Sequence, residues 1–204
     1  MSASRARKLE LFYGLASPGD QVLDVGVSSE LKPGGEARNA FLKGYRFAPE
    51  TYTGLAVQDM TGMAARYPGM RFVRYPGDVF PFADQSFDWV FCNAVVEHVG
   101  DAAAQQRFVG ELLRVARRGA VFTTPAREFP IETHTTVPFL HWWPAAFFAW
   151  CRRFRPNYTP DSLRLLTRGQ FEALAQSSGA ASVEIHTGRL MGLPMTHTAV
   201  CLRA

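Results

Sequence analysis

Apolar runs that alternate with helical segments limit the folds open to this chain. Residues 87–95 (FDWVFCNAV) are apolar almost throughout, and residues 22–27 form a second such run with one acid. Strands without a polar face are buried on both sides, as in parallel sheets that carry helices above and below. β-Branched and aromatic side chains predict five further strands, at residues 51–57, 71–75, 120–124, 181–186 and 197–203.

Helical segments separate several of these strands. Apolar side chains within residues 102–118 recur at helical spacing, and Gly119 is typical of a residue that follows a helix. Two more helices are predicted, at residues 36–45 and 167–178. The order of elements predicts an α/β, Rossmann-like fold: a doubly wound, mostly parallel seven-stranded sheet with an antiparallel C-terminal edge strand.

The size and cysteine content indicate the class of protein. We expect a single domain over residues 1–204, with a lid-like aromatic insertion at about 126–160, because 47% of the residues are hydrophobic and suffice for one core. The N-terminal segment has no sustained apolar stretch and therefore predicts no secretory signal. Three cysteines in apolar surroundings, without CxxC spacing, predict a cytoplasmic protein with reduced thiols: Cys92, Cys151 and Cys201.

The charge pattern argues against nucleic acid as a partner. The net charge of +4 comes from nineteen arginines and three lysines that are spread along the chain. No extended basic groove and no NPPY-like base-flipping motif is present, so we expect no nucleic-acid partner.

The most apolar window, residues 137–151 (VPFLHWWPAAFFAWC), is shorter than a membrane span and contains two prolines and a histidine. Pro144 is typical of a helix start, and such a helix would place Phe147, Trp150, Cys151 and Phe154 on one face. Three arginines follow closely. This segment, taken as residues 137–155, is compatible with a lid on the core, a wall that stacks on sugars, or peripheral contact with the inner face of a membrane.

The loop after the first strand is the first place to look for a ligand, because ligands bind beyond the carboxyl ends of parallel strands. Asp24 and Gly26 end this strand, and Gly26 allows the backbone to pass close to a ligand. The following residues, GVSSEL, lack the GxGxxG pattern that surrounds a diphosphate with backbone amides. The sequence therefore favours a cofactor without phosphates over a dinucleotide.

Four ordered motifs resemble those of class I S-adenosylmethionine-dependent methyltransferases of the type 11 group. They are VLDVG at 22–26, GD at 77–78, FPFADQSFDWVFCNAVVEHVGD at 80–101 and ELLRVARRGAVFTTP at 111–125. Residues 123–144 (TTPAREFPIETHTTVPFLHWWP) also resemble a narrower branch associated with bacterial surface-glycan or glycolipid assembly.

The resemblance implies S-adenosyl-L-methionine as the cofactor and S-adenosylhomocysteine as the product. It places Asp24, Gly26 and Val27 at the amino-acid end of the cofactor, Gly77, Asp78 and Val79 at the adenine, and Asn93, Ala94 and Val95 over the site. The family's usual ribose-binding acid at the end of strand two is replaced by Ala56. Asp59, three residues on, is the candidate to substitute for it.

Histidines and glutamates that follow the fourth and fifth predicted strands are candidates for acting on the methyl acceptor. His98 and His134 are the predicted catalytic residues, because imidazole titrates near neutral pH. Glu97, Glu132 and His141 lie in the same segments and are further candidates, and we expect Glu132 and His134 either to orient an acceptor or to fix the loop on the sheet. No HExxH motif or closely spaced histidine pair is present, so the spacing predicts no metal site.

We therefore predict an enzyme that transfers a methyl group from S-adenosylmethionine, with an oxygen of a sugar, glycolipid or other small molecule as the acceptor. The sparse glycines of the first loop and the missing ribose acid motivate an alternative. In that alternative the chain is a catalytically degenerate methyltransferase-like subunit that binds a partner enzyme.

Overall fold

The computed structural model describes residues 3–29 and 39–204. Its helices are α1 (Ala3–Leu15), α2 (Ala40–Lys43), α3 (Met63–Arg66), α4 (Ala102–Arg114), α5 (Pro144–Phe154) and α6 (Arg168–Gln176). Its strands are β1 (Val22–Val25), β2 (Tyr52–Ala56), β3 (Arg71–Arg74), β4 (Phe87–Asn93), β5 (Ala116–Pro125), β6 (Ser182–Leu190) and β7 (Leu193–Leu202). Three short 3₁₀ turns, at Pro49–Thr51, Val96–His98 and Leu140–Trp142, complete the described elements.

The seven strands form one sheet in the order β3-β2-β1-β4-β5-β7-β6. The strands from β3 to β5 are parallel to one another, and β7 runs antiparallel to both of its neighbours, β5 and β6. The chain order reverses between β1 and β4, so the carboxyl ends of these two strands flank the crevice in which ligands of such sheets bind. The predicted Rossmann-like fold is confirmed.

Details of the elements differ from the sequence expectations. The antiparallel C-terminal strand lies one place in from the edge, because β6 pairs along its outer side. Strand β5 begins at Ala116, four residues before the predicted start, and α4 ends correspondingly earlier. Helix α1 was not predicted, since its apolar residues form no strong stripe. The predicted helix at 36–45 is described only from Ala40 as a helix, and residues 36–38 lie outside the described part of the chain.

Both faces of the central strands are buried, which is the physical reason for their apolar composition. Alternate residues of β4 point to opposite faces: Val90 and Cys92 pack with α4 and α6, whereas Trp89 and Phe91 pack with α1 and α2. All three cysteines are buried and unpaired, as the sequence predicts.

The aromatic insertion contains α5, which begins at Pro144 as predicted. Phe147 and Cys151 on this helix are buried and form a small cluster with Leu163. Trp150 packs partly against this cluster, whereas Phe154 is 53% exposed, so only part of the predicted stripe packs on the protein. No helix within the described residues is both long enough and apolar enough to span a bilayer.

Candidate active site

A cavity lies at the carboxyl ends of β1 and β4. Asp24, Gly26 and Asn93, three of the predicted cofactor residues, line it together. Its other lining residues are Arg5 on α1, Val25 at the end of β1, Ser28 in the loop after β1, and Asn39 and Ala40 at the start of α2. The topology therefore brings residues that are up to 88 positions apart in the sequence, Arg5 and Asn93, to one site.

Asp24 is a buried carboxylate at this cavity. Its Oδ2 accepts hydrogen bonds from the Tyr52 hydroxyl at 2.6 Å and from the Asn39 amide at 3.2 Å. Burial raises the pKa of Asp24 to about 7, even though both hydrogen bonds favour the ionised form. Asn39 also caps α2 by accepting from two backbone amides, so the same side chain orients the carboxylate and begins the helix.

Gly26 is positioned by close backbone packing. Its φ of +89° lies in the left-handed region, and its amide donates to the Leu55 carbonyl at 2.8 Å. A β-carbon at this position would lie 2.2 Å from Cγ2 of Val95. Ala94, which precedes Val95, also has a positive φ, of +57°, and places these two residues directly after β4. The loop after β1 and the loop after β4 are thus in contact where the cavity forms.

Lys8 on α1 reaches over the carboxyl ends of β4 and β5. Its ammonium donates to Oδ1 of Asn93 at 3.1 Å and to Oγ1 of Thr123 at 3.2 Å. Burial lowers the pKa of Lys8 to about 8, while the nearby Glu97 acts in the opposite direction. Lys8 and Arg5 were not among the predicted site residues, because no helix was predicted for the N-terminal segment.

The predicted adenine residues lie after β3, in a loop held by Arg114. Gly77, Asp78 and Val79 line a second cavity, which α4 closes with residues that include Phe108. Arg114 donates to the carbonyl groups of Phe80 and Phe82, at 3.1 and 2.8 Å, and pairs with Asp84 and Glu111. The Glu111 carboxylate in turn accepts from the Phe80 amide at 2.7 Å. This network fixes the loop on the protein.

Two other predicted cofactor residues, Val27 and Asp59, line neither of these two cavities. The side chain of Val27 is buried in the core. Asp59 is exposed and accepts from the amide and hydroxyl of Thr61, which closes a local turn. Phe80, in the same loop as Asp78, is 1% exposed and packs against Tyr75 and Phe108, so it offers no surface to a purine.

His98 and His134, the predicted catalytic residues, are in direct contact although 36 positions separate them. Their Nε2 atoms are 3.1 Å apart, and the rings meet edge to face. Nδ1 of His98 is 2.9 Å from the Ser162 carbonyl, and Nδ1 of His134 is 2.6 Å from Oε1 of Glu132. Because a carbonyl and a carboxylate only accept hydrogen bonds, both Nδ1 atoms carry the proton.

Glu132 holds His134 in this orientation. Its carboxylate accepts from the amide and ring of His134 and from the amide and hydroxyl of Thr135. Although burial favours the neutral form, these hydrogen bonds lower the pKa of Glu132 to about 2. Glu132 is therefore ionised at neutral pH and orients the imidazole.

Glu97 lies against the histidine pair and is fully buried. Its Oε2 accepts from the Thr124 hydroxyl at 3.1 Å, whereas its Oε1, 3.8 Å from Nε2 of His134, has no hydrogen-bond partner. The 3₁₀ turn that carries Glu97 and His98 is anchored by Gln105, which donates to the Val96 carbonyl. Burial raises the pKa of Glu97.

His141 does not join this group. It is 3% exposed, and its Nε2 lies 3.0 Å from the Arg127 carbonyl. It lines a separate cavity beside α5, together with Phe147 and Leu163. The sequence places Glu132, His134 and His141 in one segment, but the loop folds so that only the first two approach His98.

Comparisons with known proteins agree with the fold. Residues 31–124 match the family described as "Methyltransferase domain". No curated protein matches the sequence. A structure of an S-adenosylmethionine-dependent methyltransferase from Methanosarcina mazei is 18% identical, with a TM-score of 0.59 over 95% of this chain and 96% of that one.

Two further solved structures have bound ligands. The Burkholderia thailandensis 1,6-didemethyltoxoflavin N1-methyltransferase, with its substrate and S-adenosylhomocysteine, is 17% identical, with a TM-score of 0.60 over 100% of this chain and 79% of that one. Magnesium protoporphyrin IX methyltransferase from Synechocystis, with S-adenosylhomocysteine, is 14% identical, with a TM-score of 0.55 over 98% and 81%. The acceptors in these structures differ, so the similarity shows the fold and leaves the acceptor open.

Proposed function

We propose that the protein transfers a methyl group from S-adenosylmethionine to an oxygen of a small molecule, a function supported by the match of residues 31–124 to a methyltransferase family and by the fold. The observation that carries this proposal is the cavity shared by Asp24, Gly26 and Asn93 at the switch point of the sheet. A carboxylate beside a close backbone approach suits the amino-acid end of the cofactor, whose ammonium group needs an acceptor.

The adenine end of the cofactor fits the neighbouring loops. Val57 and Val79, at the ends of β2 and β3, are 53% and 61% exposed and offer apolar surface to a purine. Gly77 brings the two loops together, since a β-carbon there would lie 3.4 Å from the side chain of Val57. The Asp78 carboxylate, next to Gly77, is the acceptor we assign to the exocyclic amine of adenine.

The acceptor approaches from the side of His98 and His134. Methyl transfer is an in-line displacement at carbon, so alignment of donor and acceptor supplies much of the rate. An oxygen acceptor also has to lose its proton, and the imidazole pair, which lies against Glu97 just beyond the carboxyl end of β4, is the group we assign to accept it. His98 and His134 are therefore the catalytic residues we assign.

We expect the purified protein to bind S-adenosylmethionine and S-adenosylhomocysteine with micromolar affinity in calorimetry. His98→Ala should keep this affinity and lose most of the turnover, measured as S-adenosylhomocysteine release with a panel of hydroxyl acceptors. If neither ligand binds, the degenerate partner-subunit alternative replaces the enzyme. If His98→Ala keeps full turnover and normal acceptor affinity, the catalytic assignment of His98 is wrong.

A glycolipid is the acceptor class that the exposed surface favours. Phe139, Trp142, Trp143 and Phe154 are 40% to 62% exposed, and three exposed arginines follow on the same segment, at positions 152, 153 and 155. Aromatic side chains beside arginines suit the interface of an anionic membrane, and aromatic rings also stack on sugars. Peripheral contact of residues 137–155 with the inner face of the membrane would bring a glycolipid to the histidine pair.

We expect the protein to cosediment with vesicles that contain phosphatidylglycerol and not with pure phosphatidylcholine vesicles. Trp143→Ser combined with Phe154→Ser should weaken vesicle binding by about tenfold, because these rings supply the apolar contact. Met191→Ser is the matched control, since Met191 is a 94% exposed apolar residue on the β6–β7 turn. Equal binding of both variants and the parent protein would exclude the aromatic surface as a membrane contact.

A further inference from the structure

The histidine pair and Glu97 pose an electrostatic problem that one shared proton solves only in part. Both Nδ1 atoms carry protons, so the two neutral imidazoles would direct Nε2 lone pairs at each other across 3.1 Å. A single shared proton would relieve this repulsion. It would leave Oε1 of the fully buried Glu97 without any partner, 3.8 Å from Nε2 of His134.

We propose that Glu97, His98 and His134 form a binding site for one divalent transition-metal ion. The three ligand atoms lie within 4.8 Å of one another, and a cation among them satisfies both lone pairs and the orphaned carboxylate oxygen together. Ligands about 2.1 Å from an ion lie roughly 3.0 to 3.4 Å apart when adjacent, which brackets the observed separation of the Nε2 atoms. A side-chain adjustment of Glu97, whose Oε1 lies 3.8 Å from Nε2 of His134, completes the set.

The surroundings have the features that support metal ligands. Each histidine donates its other ring nitrogen to an acceptor, Ser162 or Glu132, and such bonds fix the tautomer that leaves Nε2 free to coordinate. The turn that carries Glu97 and His98 is held by Gln105 and by the amide of Arg164, which donates to the Glu97 carbonyl. The ligands are thus preorganised before the ion arrives.

The donor set selects the kind of ion. Two imidazoles and one carboxylate suit the divalent ions from manganese to zinc, whereas magnesium and calcium prefer oxygen ligands alone. Three protein ligands leave positions open, and His98 is exposed, so a substrate oxygen has access to the ion. Local spacing did not reveal this group because His134 comes from a different loop.

The role of the ion rests on the proposed function, although the site itself does not. A hydroxyl acceptor bound to the cation loses its proton to water more readily than a free hydroxyl. The resulting oxygen attacks the methyl carbon of S-adenosylmethionine, a carbon–oxygen bond forms, and the carbon–sulfur bond breaks with its electron pair on sulfur. The products are the methyl ether, neutral S-adenosylhomocysteine and a proton in solvent. When the ion is bound, His98 and His134 act as its ligands and position the acceptor, and the proton that they would accept without the ion goes to water instead.

The experiment is titration of chelator-treated full-length protein with Co²⁺, followed by visible absorption and calorimetry without any methyl donor. We expect saturable binding of one ion per chain, with displacement by Zn²⁺. Glu97→Gln and His134→Ala should each weaken Co²⁺ binding by about tenfold or more. His186→Ala is the control, because His186 pairs with Glu184 at 3.2 Å on β6 and lies outside the cluster.

Absence of saturable Co²⁺, Mn²⁺ and Zn²⁺ binding, or equal weakening by His186→Ala, overturns the metal site. Glutamine has the same shape as glutamate, and circular dichroism of Glu97→Gln tests whether a loss of Co²⁺ binding comes from unfolding. The two proposals fail separately. If the protein binds S-adenosylmethionine but no metal ion, only the proposed metal site is excluded. If it binds the metal ion but no cofactor, the proposed methyltransferase function is excluded and the metal site stands.

Discussion

Replacement of Gly26 by alanine is expected to abolish measurable binding of S-adenosylmethionine. The new methyl group would lie 2.2 Å from Cγ2 of Val95, and the backbone would hold φ at +89°, where L residues are strained by about 1–2 kcal/mol. The loop after β1, which lines the cavity, would have to move away from the loop after β4. Calorimetric titration with S-adenosylmethionine and S-adenosylhomocysteine measures the loss.

Gly19→Ala separates conformational strain from the steric clash. Gly19 has a φ of +95°, with no atom within 4 Å of the β-carbon position, and it lies at the opposite end of β1. Backbone strain should destabilise this variant by about as much as it destabilises Gly26→Ala, but the variant should retain cofactor binding. Val95→Ala added to Gly26→Ala should restore part of the stability in thermal unfolding. Normal cofactor affinity in Gly26→Ala would mean that the cofactor does not depend on contact between these two loops.

The fold was predictable because the signals that define it are local. The apolar run of β4 and the helical periodicity of α4 each identify an element without knowledge of its neighbours, and their alternation implies the parallel sheet. Helix α1 was not predicted, because its contacts with the core depend on the position it takes in three dimensions. The same is true of the inward position of β7, since strand order is not encoded in any one strand.

The candidate site was predictable only where it follows strand ends. Asp24, Gly26 and Asn93 were named from their place at the ends of apolar runs and from family motifs, and the structure brings them to one cavity. Lys8 and Tyr52 were not found, because each reaches the site through a side chain that has no sequence pattern. The group of Glu97, His98 and His134 depends on a loop conformation, so its separate parts were named without their common geometry.

The buried carboxylate of Asp24 is expected to lower the stability of the folded protein and to strengthen cofactor binding. Its raised pKa makes both effects measurable as the pH changes. Burial raises its pKa in the folded protein to about 7, above the ordinary value of 3.8. A raised pKa means that the folded state binds the Asp24 proton more tightly than the unfolded state does. The contribution of Asp24 to the free energy of unfolding is therefore fully present below about pH 4 and is lost as the pH rises to about 7. The full loss is on the order of 4 kcal/mol.

Asp24→Asn removes this buried charge and should raise the melting temperature at about pH 8 more than at about pH 5. The same variant should bind S-adenosylmethionine at least about tenfold more weakly, because the ammonium group of the cofactor loses its carboxylate. In the parent protein, affinity should increase about tenfold from pH 6 to pH 8 as Asp24 ionises, and the variant should lack this dependence. Thermal unfolding and calorimetry at matched pH measure both effects. If Asp24 had a purely structural role, its replacement would change stability and affinity in the same direction. If the carboxylate serves to bind the cofactor, its replacement raises stability and lowers affinity.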